Sequence, residues 1–210
     1  MVFLPKIVSF VDDPLNAMFP ATIDKEELNK LPLKAFEGEI HLIDSEEGVR
    51  KFLPSLMKEK VIGFDTETRP AFKKGRRNRI SLLQFSTRFH AYLFRIGTLG
   101  ITDGLMELMQ NEKILKVGAA VRDDLEELRA VREFRPGGFL DLQKYVEAFG
   151  ITSKAVAKMA GIVLGFRISK TQQLSNWDAE TLSRAQLLYA ATDAWVCFRI
   201  HEELQNCLPR

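Results

Sequence analysis

The 210-residue sequence predicts an α/β domain built on a mixed sheet, and three observations carry that expectation. Strand-like apolar stretches come first and close together, strand and helix patterns then alternate, and helical patterns dominate the end of the chain. A near-meander followed by alternation gives a mixed sheet rather than a fully parallel, doubly wound one. Neither GxGxxG nor GxxxxGK[ST] occurs, so the glycines argue against a Rossmann or P-loop nucleotide fold.

Each element has a local reason. Residues 1–38 lack clear periodicity and carry Pro5, Pro14, Pro20 and Pro32. They are read as an arm wrapped on a main domain of residues 39–210. Within the arm, "TIDKEELNKLP" predicts a short helix capped by Thr22 or Asp24. "EIHLID" reads as a strand, and "SEEGVRKFLPSLMKE" as a helix opened by Ser45. "VIGFDTET" is an apolar strand. "RISLLQFS" and "HAYLFRI" form a hairpin about "TRF". "DGLMELMQN" repeats apolar residues at helical spacing, "KILKVGA" is a strand and "RDDLEELRAV" a helix. After the break at "RPGG", "DLQKYVEAFG" and "KAVAKMAGIVLG" are helical, each ending at a glycine. A long final helix covers about Ala179 to Gln205.

Composition excludes more than it identifies. Hydrophobic residues make up 46% and charged residues 28%, with a formal net charge of +2, so bulk charge does not announce a nucleic-acid partner. No apolar run approaches the roughly 18 residues of a membrane helix. Lys6, Asp12 and Asp13 interrupt the opening apolar stretch, which argues against a signal peptide. The two cysteines, Cys197 and Cys207, form no CxxC pattern, so a reducing, cytoplasmic setting is expected.

The chemistry is concentrated in acids at unexpected places. Asp65 and Glu67 lie two apart near the end of an apolar strand, hence on one face, about 7 Å apart at their Cα atoms. Two like charges at the edge of a core repel and resist desolvation, so something positive must join them. Asp123 and Asp124 open a helix after "KVGAAV", where helix capping would explain either one alone. Tyr189 and Asp193 lie four apart, on one face of an otherwise apolar helix.

Each motif is common by itself, and their order carries the weight. An acid pair on a central strand, an acid at a strand-to-helix junction and a Tyr-Asp pair on a late helix resemble the DEDD superfamily of 3'-5' exonucleases. The resemblance is to its tyrosine subgroup, closest to the ribonuclease D and Werner-exonuclease branch, and covers about Glu39 to Gln205. Asp65 and Glu67 in "FDTET" match the first motif, Asp124 before Leu125 the second, and Tyr189 and Asp193 in "YAATDA" the third. Gly118, Ala119 and Ala120 stand where the superfamily often has an Asn, and the adjacent Asp123 leaves the second register open. The histidine form would place a His at Leu188, and His41, His90 and His201 fall outside the motifs as surface or packing residues.

That resemblance implies a ribonuclease H-like fold with a five-stranded mixed sheet and helices on both sides. It implies two divalent cations, Mg2+ or Mn2+, held by Asp65, Glu67, Asp124 and Asp193. Asp65 would bridge them, Glu67 and Asp193 would complete the nucleophile-side ion, and Asp124 would hold the other largely through water. Such a pair supports phosphodiester hydrolysis. Tyr189 would orient or deprotonate the attacking water. The implied substrate is a single-stranded or frayed 3' end of DNA or RNA, released as nucleoside 5'-monophosphates. Thr66 and the basic run Arg69, Lys73, Lys74, Arg76 and Arg77 would grip the incoming strand, with Phe72 stacking a base. Lys170 and Gln173 would line the groove, Trp177 would pack beneath the last helix, and Gln84 would steady the acid strand by a hydrogen bond. The rivals are a nucleic-acid-binding adaptor on the same fold with weak or lost catalysis, and an endonuclease of the same fold. The choice of DNA or RNA, the oligomeric state and the pathway stay open.

Overall fold

In the computed structural model, which describes residues 18–70 and 79–208, six strands form one sheet. These are β1 (Glu39–Ile43), β2 (Val61–Thr68), β3 (Ile80–Ser86), β4 (His90–Arg95), β5 (Leu115–Gly118) and β6 (Phe139–Asp141). Their spatial order is β1-β4-β3-β2-β5-β6. The β2–β3 and β3–β4 pairs are antiparallel, and β1–β4, β2–β5 and β5–β6 are parallel. The expected β3–β4 hairpin is present, with Thr87, Arg88 and Phe89 at its turn. The sheet is mixed, as expected, with one strand more than five. The addition is β6, whose three residues are too few to display a period.

Helices cover both faces. On one side lie α2 (Glu46–Leu56), α4 (Asp103–Gln110) and α5 (Val121–Val131), which pack on Ile62, Phe64, Leu83, Phe85 and Phe94. The short α3 (Ile96–Leu99) leads into them. The other side holds α7 (Val156–Leu164) and the 23-residue α8 (Arg184–Asn206). The cap of α2 is Ser45, and Gly165, with φ of 67°, stops α7. Two predicted helices differ from expectation. "DLQKYVEAFG" divides into α6 (Leu142–Tyr145) and a 3-10 turn, Val146–Phe149, that ends at Gly150. The last helix starts at Arg184, because Ser183 and Gln186 form a capping box there. The residues before it bend inward to bury Trp177 and Leu182.

Residues 18–38 run along α7 and α8. They contain α1 (Lys25–Lys30), capped by Asp24 through a capping box with Glu27. Phe36 is buried, and its backbone N–H donates to Thr192 Oγ1 at 3.0 Å. The Ala21 carbonyl accepts from the Thr152 N–H and hydroxyl. At Gly161 of α7, an added Cβ would stand 2.6 Å from a Leu28 methyl.

Among the described glycines, the tightest contact is between β2 and α8. Gly63 faces α8, and a Cβ there would lie 1.9 Å from the Ala194 carbonyl oxygen. Only a residue without a side chain admits this helix, which therefore sits directly over the strand that carries the acids.

Candidate active site

Strand alternation puts Gly63, Asp65 and Glu67 on the α8 side of the sheet. From α8, Asp193 is one residue before Ala194, so the tight Gly63 contact carries Asp193 up to Asp65. One carboxylate oxygen each from Asp65, Glu67 and Asp193 falls within 4.8 Å of the others. Tyr189 lies one turn earlier on α8, and its hydroxyl donates to the Asp193 carboxylate. At Glu67/Thr68 the β2–β3 register shifts, a bulge of the kind that re-aims side chains beside sites.

The fourth acid arrives from the opposite side. Asp124 lies in the first turn of α5, and the Thr66 hydroxyl donates to its Oδ1 at 2.5 Å. Asp123, by contrast, is exposed. Ala120, the residue before α5, has φ 55° and ψ 32°, the one non-glycine residue at positive φ among those described. The Asp141 carboxylate accepts its N–H at 3.2 Å and that of Gln143 at 2.9 Å. Asp141 thereby caps α6 and holds the turn that launches α5. No glycine or Asn marks this turn in the sequence, and Asp141 was legible only as a cap before "LQKY".

Burial and mutual repulsion dominate the electrostatics. Burial, then Asp193, pushes Asp65 well above the usual carboxylate range. Burial and the other three acids push Glu67 up to about 10. Asp124 rises to about 8 through burial and Asp65, with the Thr66 hydrogen bond opposing. Asp193 rises to about 7 by burial, opposed by the Tyr189 hydrogen bond and by Lys170. Tyr189 is raised in turn, by burial first and then by Asp193 and Glu67.

The flanking residues divide. Lys170 is exposed and acts on Asp193. Gln173 is exposed on the following turn, where its N–H donates to the Lys170 carbonyl. Arg69 is exposed just after β2. Lys73, Lys74, Arg76, Arg77 and Phe72 lie outside the described residues. Trp177 is buried beneath α8, 6.0 Å from the Tyr189 ring, as a packing residue. Gln84 corrects the sequence reading. It lies opposite Asp65 and is fully buried, but its amide makes no hydrogen bond among the described residues. An unsatisfied buried amide costs about 1–3 kcal/mol.

The donor set fits hard divalent ions: three converging carboxylates with Asp124 nearby, all oxygen, each pushed upward first by burial.

Comparison with known proteins agrees with this architecture. Residues 40–209 match the 3'-5' exonuclease family. The human Exonuclease mut-7 homolog is 29% identical over 209 residues, which covers 86% of this chain and 24% of that protein. The mouse Bifunctional 3'-5' exonuclease/ATP-dependent helicase WRN is 30% identical over 158 residues, covering 70% of this chain and 11% of that one. This chain thus spans about a quarter or less of the length of these relatives. The crystal structure of the Aedes aegypti Nibbler EXO domain superposes with a TM-score of 0.73 at 23% identity, covering 82% of this chain and 91% of that one. With its mixed sheet, its covering helices and its match across most of its length, this chain belongs to the 3'-5' exonuclease family, within the DEDD superfamily.

Proposed function

We propose that this chain is a metal-dependent 3'-5' exonuclease domain of the tyrosine subgroup, which removes nucleoside 5'-monophosphates from a single-stranded or frayed 3' end. The observation that carries the reading is the convergence of Asp65, Glu67 and Asp193 within 4.8 Å, with Asp124 joined to them through Thr66. Asp65, Glu67, Asp124 and Asp193 would hold two Mg2+ or Mn2+ ions. Bound there, the ions would offset the acids' repulsion, acidify an attacking water and stabilise the leaving 3' oxygen.

The protein's own groups do the positioning. Tyr189 stays protonated at neutral pH, since burial and the acids raise it above its ordinary value. As a hydrogen-bond donor to Asp193 it would orient that carboxylate and the reacting water. Thr66 fixes one oxygen of Asp124 and leaves the other for the site. Lys170, exposed beside Asp193, supplies the positive charge that meets a substrate phosphate. Arg69, Lys73, Lys74, Arg76 and Arg77 follow the acid strand in the sequence and extend that grip along the incoming strand. Gln173 contributes from the same turn as Lys170.

The test is incubation with 5'-labelled single-stranded DNA and RNA in Mn2+, Mg2+ or EDTA, with products resolved at single nucleotides. A metal-dependent ladder shortening from the 3' end is expected, lost in folded Asp65→Ala and Asp193→Ala variants. Wild-type activity in both variants, or cleavage of circular substrates, would overturn the assignment. Binding without degradation by the wild type would make the chain an adaptor.

A further inference from the structure

The β1 edge of the sheet carries a second cluster of metal-ligating side chains. Glu39 and His41 alternate along β1 and so share a face, and their register partners on β4 are His90 and Tyr92. His41 Nε2 lies 3.3 Å from His90 Nδ1. The Glu39 carboxylate reaches to 3.9 Å from His41 Nδ1 and 3.7 Å from His90 Nδ1. One ligand atom from each of the three falls within 4.8 Å of the others. The His41 ring packs between Phe52 of α2, at 4.3 Å, and Tyr92, at 5.1 Å, so this is the α2 face of the sheet, opposite the acids. Strands β4 and β3 separate β1 from β2. Three strand spacings, about 14 Å, and the thickness of the sheet keep the cluster apart from the active site.

We propose that Glu39, His41 and His90 form a separate site for a borderline divalent ion of the zinc class. Two imidazole nitrogens and a carboxylate suit Zn2+, whereas the all-oxygen acid cluster suits Mg2+ or Mn2+. At Zn–N bonds of about 2.05 Å, two nitrogens on a tetrahedral ion stand about 3.3 Å apart. The histidine nitrogens already stand at that separation. Their ring planes lie within 15° and their centroids 5.5 Å apart, so the nitrogens face each other nearly head-on and share a hydrogen bond. To aim both lone pairs at one ion, the rings must together turn about 70° off that line, given tetrahedral geometry. Phe52 and Tyr92 clamp His41, so the turn falls mainly on His90, whose side chain is 45% exposed. Glu39, 68% exposed, supplies the third ligand, and water completes the set. The bound ion would cross-link the edge strand to β4.

The experiment uses an Asp65→Asn/Asp193→Asn protein, in which the acid cluster is weakened and the histidines are intact. Zn2+ is titrated in by calorimetry, and Co2+ serves as the probe in visible absorption. One equivalent of Zn2+, tetrahedral Co2+ bands and a thermal midpoint raised by a few degrees are expected. Adding His90→Gln or Glu39→Ala should weaken Zn2+ binding at least about tenfold. No Zn2+ binding, or binding unchanged by either substitution, would overturn the site. Both substituted side chains are substantially exposed, so loss of fold is not expected to obscure the result, and far-UV circular dichroism checks it. The catalytic reading is unaffected by either outcome, because the acids are already altered in every protein tested.

Discussion

The two halves of β2 face the same helix and do opposite things. Its first half, Val61 to Phe64, is apolar, and at Gly63 the backbone of α8 comes into direct contact. Its second half places Asp65 and Glu67 against Asp193 and Tyr189, where charges repel. The first half supplies the constraint and the second half uses it. Because Gly63 fixes α8 so closely, Asp193 has no freedom to retreat from Asp65. Repulsion of this kind persists only where a well-packed neighbour holds the same element in place, and here the two are separated by a single residue.

The largest way to break the comparison is at Gly63. Gly63→Ala puts a methyl against the Ala194 carbonyl, so α8 must lift. We expect a loss of about 3 kcal/mol or more in chemical denaturation, and loss of nuclease activity even where the fold survives.

A smaller effect separates the halves by pH. The folded-state pKa values of Glu67, Asp124 and Asp193, about 10, 8 and 7, lie above the unfolded range near 4. A raised carboxylate pKa favours the protonated folded state. That stability is fully present below about pH 4 and is lost as pH rises through the folded values. Thermal midpoints in EDTA should therefore fall from about pH 4 upward, most steeply below about pH 7 where all three groups contribute, and level off near pH 10, and Mn2+ should remove most of the slope. Asp65→Asn should flatten the slope in EDTA and stabilise the protein by about 1–2 kcal/mol, while abolishing activity. A steep slope that persists in Asp65→Asn would place the titration elsewhere.

The smallest effect concerns how Asp124 is delivered. Asp141→Ala removes a helix cap, at about 1 kcal/mol, and releases the left-handed turn at Ala120. Activity should drop about tenfold, with a higher metal concentration needed for half-maximal rate. Ala120→Gly, which relaxes the turn without a carboxylate, should restore part of it in the same protein. No rescue, with an unchanged metal requirement, would reduce Asp141 to a cap.

What was legible in the sequence was what repeats or caps. Ser45, Gly150 and Gly165 mark helix ends at the expected places. Asp65 and Glu67, two apart on a strand, and Tyr189 and Asp193, four apart on a helix, share faces by elementary geometry. Position in space was less legible. β6 is too short to show a pattern, and Ala120 adopts a glycine-like conformation because Asp141, some twenty residues on, holds it. Gln84 looked like a hydrogen-bonding residue, since amides usually are. Its burial opposite Asp65, rather than its chemistry, leaves it without a partner among the described residues. The Thr66 hydroxyl bonds Asp124 while Asp123 is exposed, a contact between distant parts of the chain that no local pattern displays.

The bond from the Phe36 amide to Thr192 has a practical consequence for anyone cutting or fusing this protein. Thr192 precedes Asp193, so the turn of helix that brings this carboxylate to the acid cluster is pinned from the segment ahead of the sheet. A fragment begun at Glu39 would strip Ile23 and Phe36 from the surface they cover and free that turn. Expression boundaries and fusion joints therefore belong ahead of Phe19, which packs on the same core, even though the acid cluster lies well after it.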